Sequence, residues 1–324
     1  QIEIGGTLNG VCTAKVSEAE VMVEGGIRDV LITSEIVGED KQRRLAYLAK
    51  RADVKVCIDN KTNLNSLSLI AQEIGSEIGV LIEVDTSMGR AGIRSPEQGV
   101  ELAKLAESLA SIKFLGVMSH QTVDGFTDKE TRFIEGKRYI DKCLEVKTAI
   151  EDYGIEVTIV SSGETFSYDV APQIEGVTEV EGGTYALMSG PAKYMEEFSL
   201  AGKVLTTVID VTETEIVIDA GLRCLGGPLG VTPTVEGQDE LTFIEMHDSY
   251  SVLSVKGEIF SESVKLYLSA LPSRIYWLTD GIISLEFVMA WWKLFGTYQP
   301  EGAITELAKQ CLYLNGSSLN GTMS

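Results

Sequence analysis

Residues 10–37 read GVCTAKVSEAEVMVEGGIRDVLITSEIV. Two β-branched runs, Gly10–Val16 and Asp29–Val37, flank an amphipathic stretch, Ser17–Gly25. The runs predict strands and the stretch predicts a helix. Ser17, with Glu20 three positions on, fits a capping box at the helix start. Strand, helix, strand is a βαβ unit, and such units build parallel sheets.

Outward from this stretch the alternation continues. Strands are predicted at Lys55–Asn60, Gly79–Asp85, Phe114–His120, Glu156–Ser162 and Val177–Leu187, and helices at Glu39–Ala52, Asn63–Ile74, Pro96–Leu109, Lys129–Tyr153 and Thr165–Ile174. About seven strands result, against the eight of a closed (β/α) barrel. A doubly wound sheet also accommodates seven. The polar residues favour the barrel: Lys15, Ser34, Asp59, Asp85, His120, Ser162 and Glu181 fall at or just after strand C-terminal ends, which in a barrel converge on one mouth. After about residue 198 the texture changes to short strands with Gly and Pro turns, at Lys203–Asp210, Glu215–Asp219, Leu241–Met246 and Val252–Val255. This predicts a barrel over 1–197, a smaller β domain over 198–315, and a Ser-, Gly- and Asn-rich disordered tail over 316–324.

The 324 residues carry 48 Asp plus Glu against 27 Lys plus Arg, a net charge of −21. That balance argues against nucleic acid as a partner and disfavours an anionic membrane surface. The most apolar stretch, Ile275–Tyr298, is broken by Asp280, Glu286 and Lys293, so no transmembrane span is predicted; the Met and aromatic residues around Phe287–Phe295 read as core. No leader is visible, and the sequence starts on Gln1 rather than Met, which reads as a fragment. Five scattered cysteines, Cys12, Cys57, Cys143, Cys224 and Cys311, read as reduced thiols in a cytoplasmic protein.

Two turns carry phosphate-binding chemistry. Ser161-Ser162-Gly163-Glu164-Thr165 follows a strand and leads into a predicted helix, offering hydroxyls and N–H groups to an anion; an ordinary N-cap turn explains it equally well. Glu181-Gly182-Gly183-Thr184-Tyr185 follows the next strand, and neighbouring turns after the last barrel strands form a common phosphate site. The bland reading of its glycines is a bulge or tight turn. His120 ends a strand and can stack on a ring or shuttle protons, the alternative being a structural histidine. Arg90, in the loop Asp85–Gly92, can hold a carboxylate or phosphate, the alternative being a surface ion pair. Asp59-Asn60 reads as a helix cap, the alternative being hydrogen-bonding groups that support the site from behind. His247 has no evident partner, and the two histidines of the chain give no His-rich metal pattern.

Several motifs resemble one family. Val11–Glu20, Gly25–Ile32, Glu83-Val84-Asp85 with Met88-Gly89-Arg90-Ala91-Gly92, Thr178-Glu179 through Gly183-Thr184-Tyr185, and Ile218–Arg223 resemble the D-threonine aldolase and D-serine dehydratase family, in order and spacing, from Gln1 to about Val255. The resemblance implies an alanine-racemase-like fold, a (β/α)8-type barrel followed by a β domain, that binds pyridoxal phosphate (PLP) at the barrel mouth and forms a homodimer. It implies that Ser162, Gly163, Thr165, Gly183 and Thr184 cradle the cofactor phosphate, that His120 lies against the pyridine ring, and that Tyr185 and Arg90 line the pocket. Glu181 stands where relatives tend to carry Arg or Gln near the ring nitrogen. The family's Schiff-base lysine ends the first barrel strand, ahead of the segment matching Gln1, so this barrel is expected to lack its first strand and Lys15 is not that lysine's counterpart. The family's divalent-metal ligands fall at Arg274 and Tyr276 in Leu271–Tyr276. Guanidinium does not ligate metals, so either the site is lost or the sequence there is altered, and no metal ligand is assigned. The resemblance implies a lyase for β-hydroxy D-amino acids. Alternatives are a non-catalytic PLP-binding protein and, more weakly, an amino-acid racemase.

Overall fold

The computed structural model describes residues 10–121, 123–188, 194–199, 201–225, 232–256 and, for main chain only, 265–269. The predicted metal-position stretch 271–276, the apolar stretch 275–298, Cys311 and the tail 316–324 lie outside these residues.

Six strands form a curled parallel half-barrel in sequence order: β1 (Val11–Thr13), β2 (Asp29–Glu35), β3 (Asp53–Ile58), β4 (Ile78–Glu83), β5 (Ile112–Ser119) and β6 (Ile159–Ser162). The helices between them are α1 (Val16–Glu24), α2 (Glu39–Leu48), α3 (Lys61–Ile74), α4 (Pro96–Ser108) and α5 (Lys129–Asp152). Neighbouring strands run parallel with nearly unbroken register, for example Lys55↔Gly79 through Ile58↔Ile82. The barrel expectation is borne out, as a half-barrel.

Its strands are buried on both faces, as parallel strands covered by helices must be. Side chains of one parity, among them Val30, Ile32, Val56, Ile82, Val117 and Val160, pack with Leu45, Leu64, Leu67, Leu102 and Ile150 of the helices. The opposite parity, Leu31, Cys57, Leu81 and Met118, forms a second cluster on the inner face. Two residues further along the same parity come Asp59, Glu83 and His120, because a strand alternates sides with period two. The apolar inner layer therefore gives way to a polar one at the mouth.

Local chemistry sets the helix ends. Asn60 caps α3 by accepting from Asn63 N at 2.9 Å, as read from sequence, and Gly75 closes that helix in the left-handed region, with φ 72°. Asp128 caps α5 by accepting from Thr131 N at 2.7 Å. The start of α1 differs from expectation. It begins at Val16, and Glu18 rather than Glu20 reaches back, accepting from Lys15 N at 3.1 Å and Ala14 N at 2.9 Å. Glu20 instead pairs with Arg44 of α2 through Arg44 Nε at 2.8 Å.

Two further expectations change after β6. The helix read at Thr165–Ile174 is two single 3-10 turns, Thr165–Ser167 and Ala171–Gln173. The strand read at Val177–Leu187 is one parallel bridge, Ser161↔Glu179, followed by a 3-10 turn at Thr184–Ala186. Gly163, at φ 115°, and Pro172 punctuate the segment, so neither a long helix nor a long strand propagates.

A second sheet is antiparallel, in order β10-β11-β8-β7-β12-β9: β7 (Val204–Val211), β8 (Glu215–Ile218), β9 (Thr234–Val235), β10 (Leu241–Met246), β11 (Ser251–Val255) and β12 (Lys265–Ser269), with a short helix α6 (Leu222–Leu225) after β8. Its core is Ile216, Ile218, Ala220, Leu225, Val235, Leu241 and Leu253. Among the described residues no helix is long and apolar enough to cross a membrane.

Candidate functional site at the barrel mouth

The two predicted turns meet at the C-terminal end of β6. Ser162 N donates to Glu179 O at 3.0 Å, and Glu181 N to Gly163 O at 3.2 Å. Tyr185 N donates to Thr165 Oγ1 at 3.1 Å. Gly163, Thr165, Glu181, Gly183, Thr184 and Tyr185 are thus brought into one cradle. A Cβ on Gly163 would lie 2.8 Å from Ala171 Cβ, so the positive φ and the close packing both require glycine there. The main-chain hydrogen bonds of the described residues leave the N–H groups of Gly163, Gly183 and Thr184 without an acceptor. A Cβ on Gly183 would meet nothing within 4 Å. Main-chain N–H groups not taken up by other main-chain acceptors are what a phosphate needs.

Behind the first turn lies a buried polar network. Ser119 Oγ and Ser162 Oγ are 2.8 Å apart, and Gln121 Nε2 donates to each at 2.8 Å. Those donations engage the oxygen of Ser162 and leave a hydroxyl proton to point elsewhere. His120 follows directly on β5, and its carbonyl accepts from Thr86 Oγ1 at 3.3 Å. Tyr185 packs toward Phe198, with ring centroids 6.3 Å apart.

The loop after β4 carries Arg90. Asp85 Oδ1 accepts from Gly89 N at 2.9 Å, and Asp59 Oδ2 from Gly92 N at 3.3 Å, so two strand-end carboxylates pin the loop. Arg90 Nη2 stands 3.1 Å from Glu83 Oε1. The ion pair is asymmetric: the Arg90 side chain is 48% exposed and that of Glu83 4%. It is therefore more than a surface contact.

The mouth is rich in carboxyls held above their usual range. Burial pushes Glu181 up to about 7, with Glu179 and Glu83 adding to the effect and both its bond to Ser161 Oγ at 2.5 Å and the Arg90 charge opposing it. Burial raises Glu35 to about 8, reinforced by a hydrogen bond to the Glu83 carboxyl and by the charges of Glu83 and Asp59. Burial raises Glu164 to about 8. Sequence reading assigned no role to Glu35, Glu83, Ser119 or Gln121. A signal existed: a carboxylate closing a strand otherwise apolar on both faces has no solvent-facing side to occupy.

Cys12, Cys57, Cys143 and Cys224 are free, and burial pushes the Cys57 thiol well up, so it stays protonated. His247, between β10 and β11, stacks on Tyr250 at 4.3 Å and meets Glu245 Oε2 at 3.0 Å. Among the described residues no three His, Cys, Asp or Glu side chains group to hold a metal. Arg274 and Tyr276 are outside them.

Three comparisons bear on this arrangement. The alanine racemase N-terminal domain model matches residues 3–191. A 3-hydroxy-D-aspartate aldolase of Paracoccus denitrificans is 34% identical over 83% of this chain and 72% of its own length. A D-threonine aldolase of Arthrobacter is 29% identical over 85% of this chain and 75% of its own. The crystal structure of D-threonine aldolase from Filomicrobium marinum superposes with a TM-score of 0.78 at 27% identity, over 83% of this chain and 74% of that one. With a domain match across the half-barrel and this identity to aldolases that share most of its length, the chain belongs to the alanine racemase N-terminal domain family, the fold-type III group of PLP enzymes.

Proposed function

We propose that this protein is a PLP-dependent lyase that cleaves β-hydroxy D-amino acids between Cα and Cβ, releasing glycine and an aldehyde. The observation that carries the reading is the cradle of unclaimed N–H groups at Gly163, Gly183 and Thr184. The aldolase names of the relatives at 29% and 34% identity favour carbon–carbon cleavage over dehydration.

PLP, when bound, supplies an electron sink that accepts the pair released from the breaking Cα–Cβ bond. The residues of the mouth would hold and orient the cofactor and the substrate. Gly163, Gly183 and Thr184 donate main-chain N–H groups to the phosphate, with the hydroxyls of Ser162 and Thr165. His120, directly after β5, would lie against the ring. Glu181, whose carboxyl burial raises to about 7, is the residue that would face the ring nitrogen and could hold a proton there. Arg90, half exposed and tethered by Glu83, binds the substrate carboxylate, and Tyr185 lines the pocket.

Glycine release from D-threonine and from 3-hydroxy-D-aspartate, assayed with and without added PLP and divalent metal, tests the reading. PLP-dependent glycine production is expected. Saturable PLP binding without turnover of either substrate, with metal present, contradicts the lyase and favours a non-catalytic PLP-binding protein.

A further inference from the structure

The carboxyls of Glu35, at the end of β2, and Glu83, at the end of β4, are in hydrogen-bonding contact across β3. Each has a buried oxygen that no donor reaches, Glu35 Oε1 and Glu83 Oε2. The other oxygen of Glu83 holds Arg90. Two carboxylates cannot hydrogen-bond one another; a carboxylic acid and a carboxylate can, through one proton. We infer that Glu35 is a neutral carboxylic acid that donates its proton to Glu83 and thereby positions Arg90 at the mouth.

The surroundings favour that proton. Glu35 faces Glu83 of β4, Asp59 beyond β3, and the Cys57 thiol of β3, with Glu181 and Arg90 in the same field. Arg90 is the single cation in that set, and Glu83 already holds it. A second charge on Glu35 would be buried without a cation, which is costly. Burial and these neighbours move Glu35 up to about 8, so the acid form prevails at neutral pH. The proton goes to Glu35 because Glu83, against the guanidinium, is the better place for the charge. Glu83 then acts as a two-sided clamp, taking a proton donor on one oxygen and Arg90 on the other. Glu35 touches neither substrate nor cofactor in this scheme, and is a positioning residue. Its effect on turnover rests on the proposed role of Arg90; its protonation does not.

Two measurements test the inference, after circular dichroism confirms that the variants fold. First, infrared spectra of the chain alone, with 13C-carboxyl glutamate, are compared for wild type and Glu35→Gln at neutral pH. The expected difference is loss of one protonated-acid carbonyl band. Loss of a carboxylate band instead overturns the inference, whether or not the protein is a lyase. Second, kcat/KM for the β-hydroxy D-amino acid is followed against pH. Wild type is expected to decline above about pH 8, as two charges meet beside Arg90. Glu35→Gln, whose amide still donates but does not titrate, is expected to lose that decline. Glu35→Leu, with no donor, is expected to raise KM about tenfold at all pH values, the size of one charge-assisted bond. Equal KM values for the two variants, or a decline that persists in Glu35→Gln, overturn it. Absence of turnover in wild type counts against the lyase, and the infrared band alone then decides Glu35.

Discussion

The two ends of the parallel half-barrel handle buried charge in opposite ways. At the N-terminal end of the strands, Lys55 lies between Asp29 at 2.6 Å and Asp53 at 2.8 Å, and the two carboxylates hold its ammonium above the usual range against the effect of burial. Both anions reach solvent, and the cation has its partners. At the C-terminal end, Glu83 pairs with Arg90, Glu181 feels the same guanidinium, and Glu35, Glu83 and Glu164 each keep a buried oxygen outside the other hydrogen bonds of the structure. Packing alone does not preserve such atoms. One end is built for stability. The other keeps charge in reserve, as the mouth of a (β/α) barrel does when it carries chemistry.

Four experiments break or sharpen this contrast. The largest effect is expected from Gly163→Val. A side chain cannot fit at φ 115° with Ala171 Cβ only 2.8 Å away. PLP affinity is expected to fall on the order of a hundredfold, about 2.7 kcal/mol, read by fluorescence titration.

The second effect is on pH-dependent stability. The carboxyls of Glu35 and Glu164 are raised to about 8 and that of Glu181 to about 7, from 4.5. The native state keeps protons that the unfolded chain gives up above pH 4.5, so stability is full at lower pH and is lost as pH rises through 7 and 8. Thermal melts from pH 5 to 9 are expected to show a Tm that falls as pH rises. Glu164→Gln is expected to flatten the slope, and a Tm that rises across this range contradicts the assignment.

The third is Lys55→Met, at the opposite end. It leaves Asp29 and Asp53 to water and is expected to cost about 1 kcal/mol in urea denaturation. PLP affinity is expected to hold, since no mouth residue touches Lys55. The smallest effect is expected from Arg43→Ala on α2, whose partners Glu39 and Glu73 are exposed. Neither Tm nor PLP affinity should move measurably.

The half-barrel was legible because burial on both faces leaves long β-branched runs between amphipathic helices, as in residues 10–37. The mouth residues in the two Gly-containing turns were legible because glycine and hydroxyl patterns mark tight anion-facing turns. The segment between those turns was not. Thr165–Ile174 has the apolar content of a helix, but Gly163 and Pro172 restrict it to two 3-10 turns, and Thr165 Oγ1 accepts from Tyr185 N instead of capping a helix. Glu35 and Glu83 were illegible for another reason. Their meaning lies in facing one another across β3, and separation in space between strand ends is not written in spacing along the chain. The start of α1 shows the same limit on a smaller scale. Glu18 and Glu20 both suit a cap, and the position of Arg44 on the neighbouring helix draws Glu20 away.

The most direct measurement is titration of the full chain with PLP, in competition with inorganic phosphate, for wild type and Gly163→Val. If the two turns hold the cofactor phosphate, wild type binds PLP at one saturable site, phosphate displaces it, and Gly163→Val loses the binding while its circular dichroism spectrum stays that of a folded protein. PLP binding that survives both Gly163→Val and excess phosphate contradicts the placement of the cofactor in this cradle.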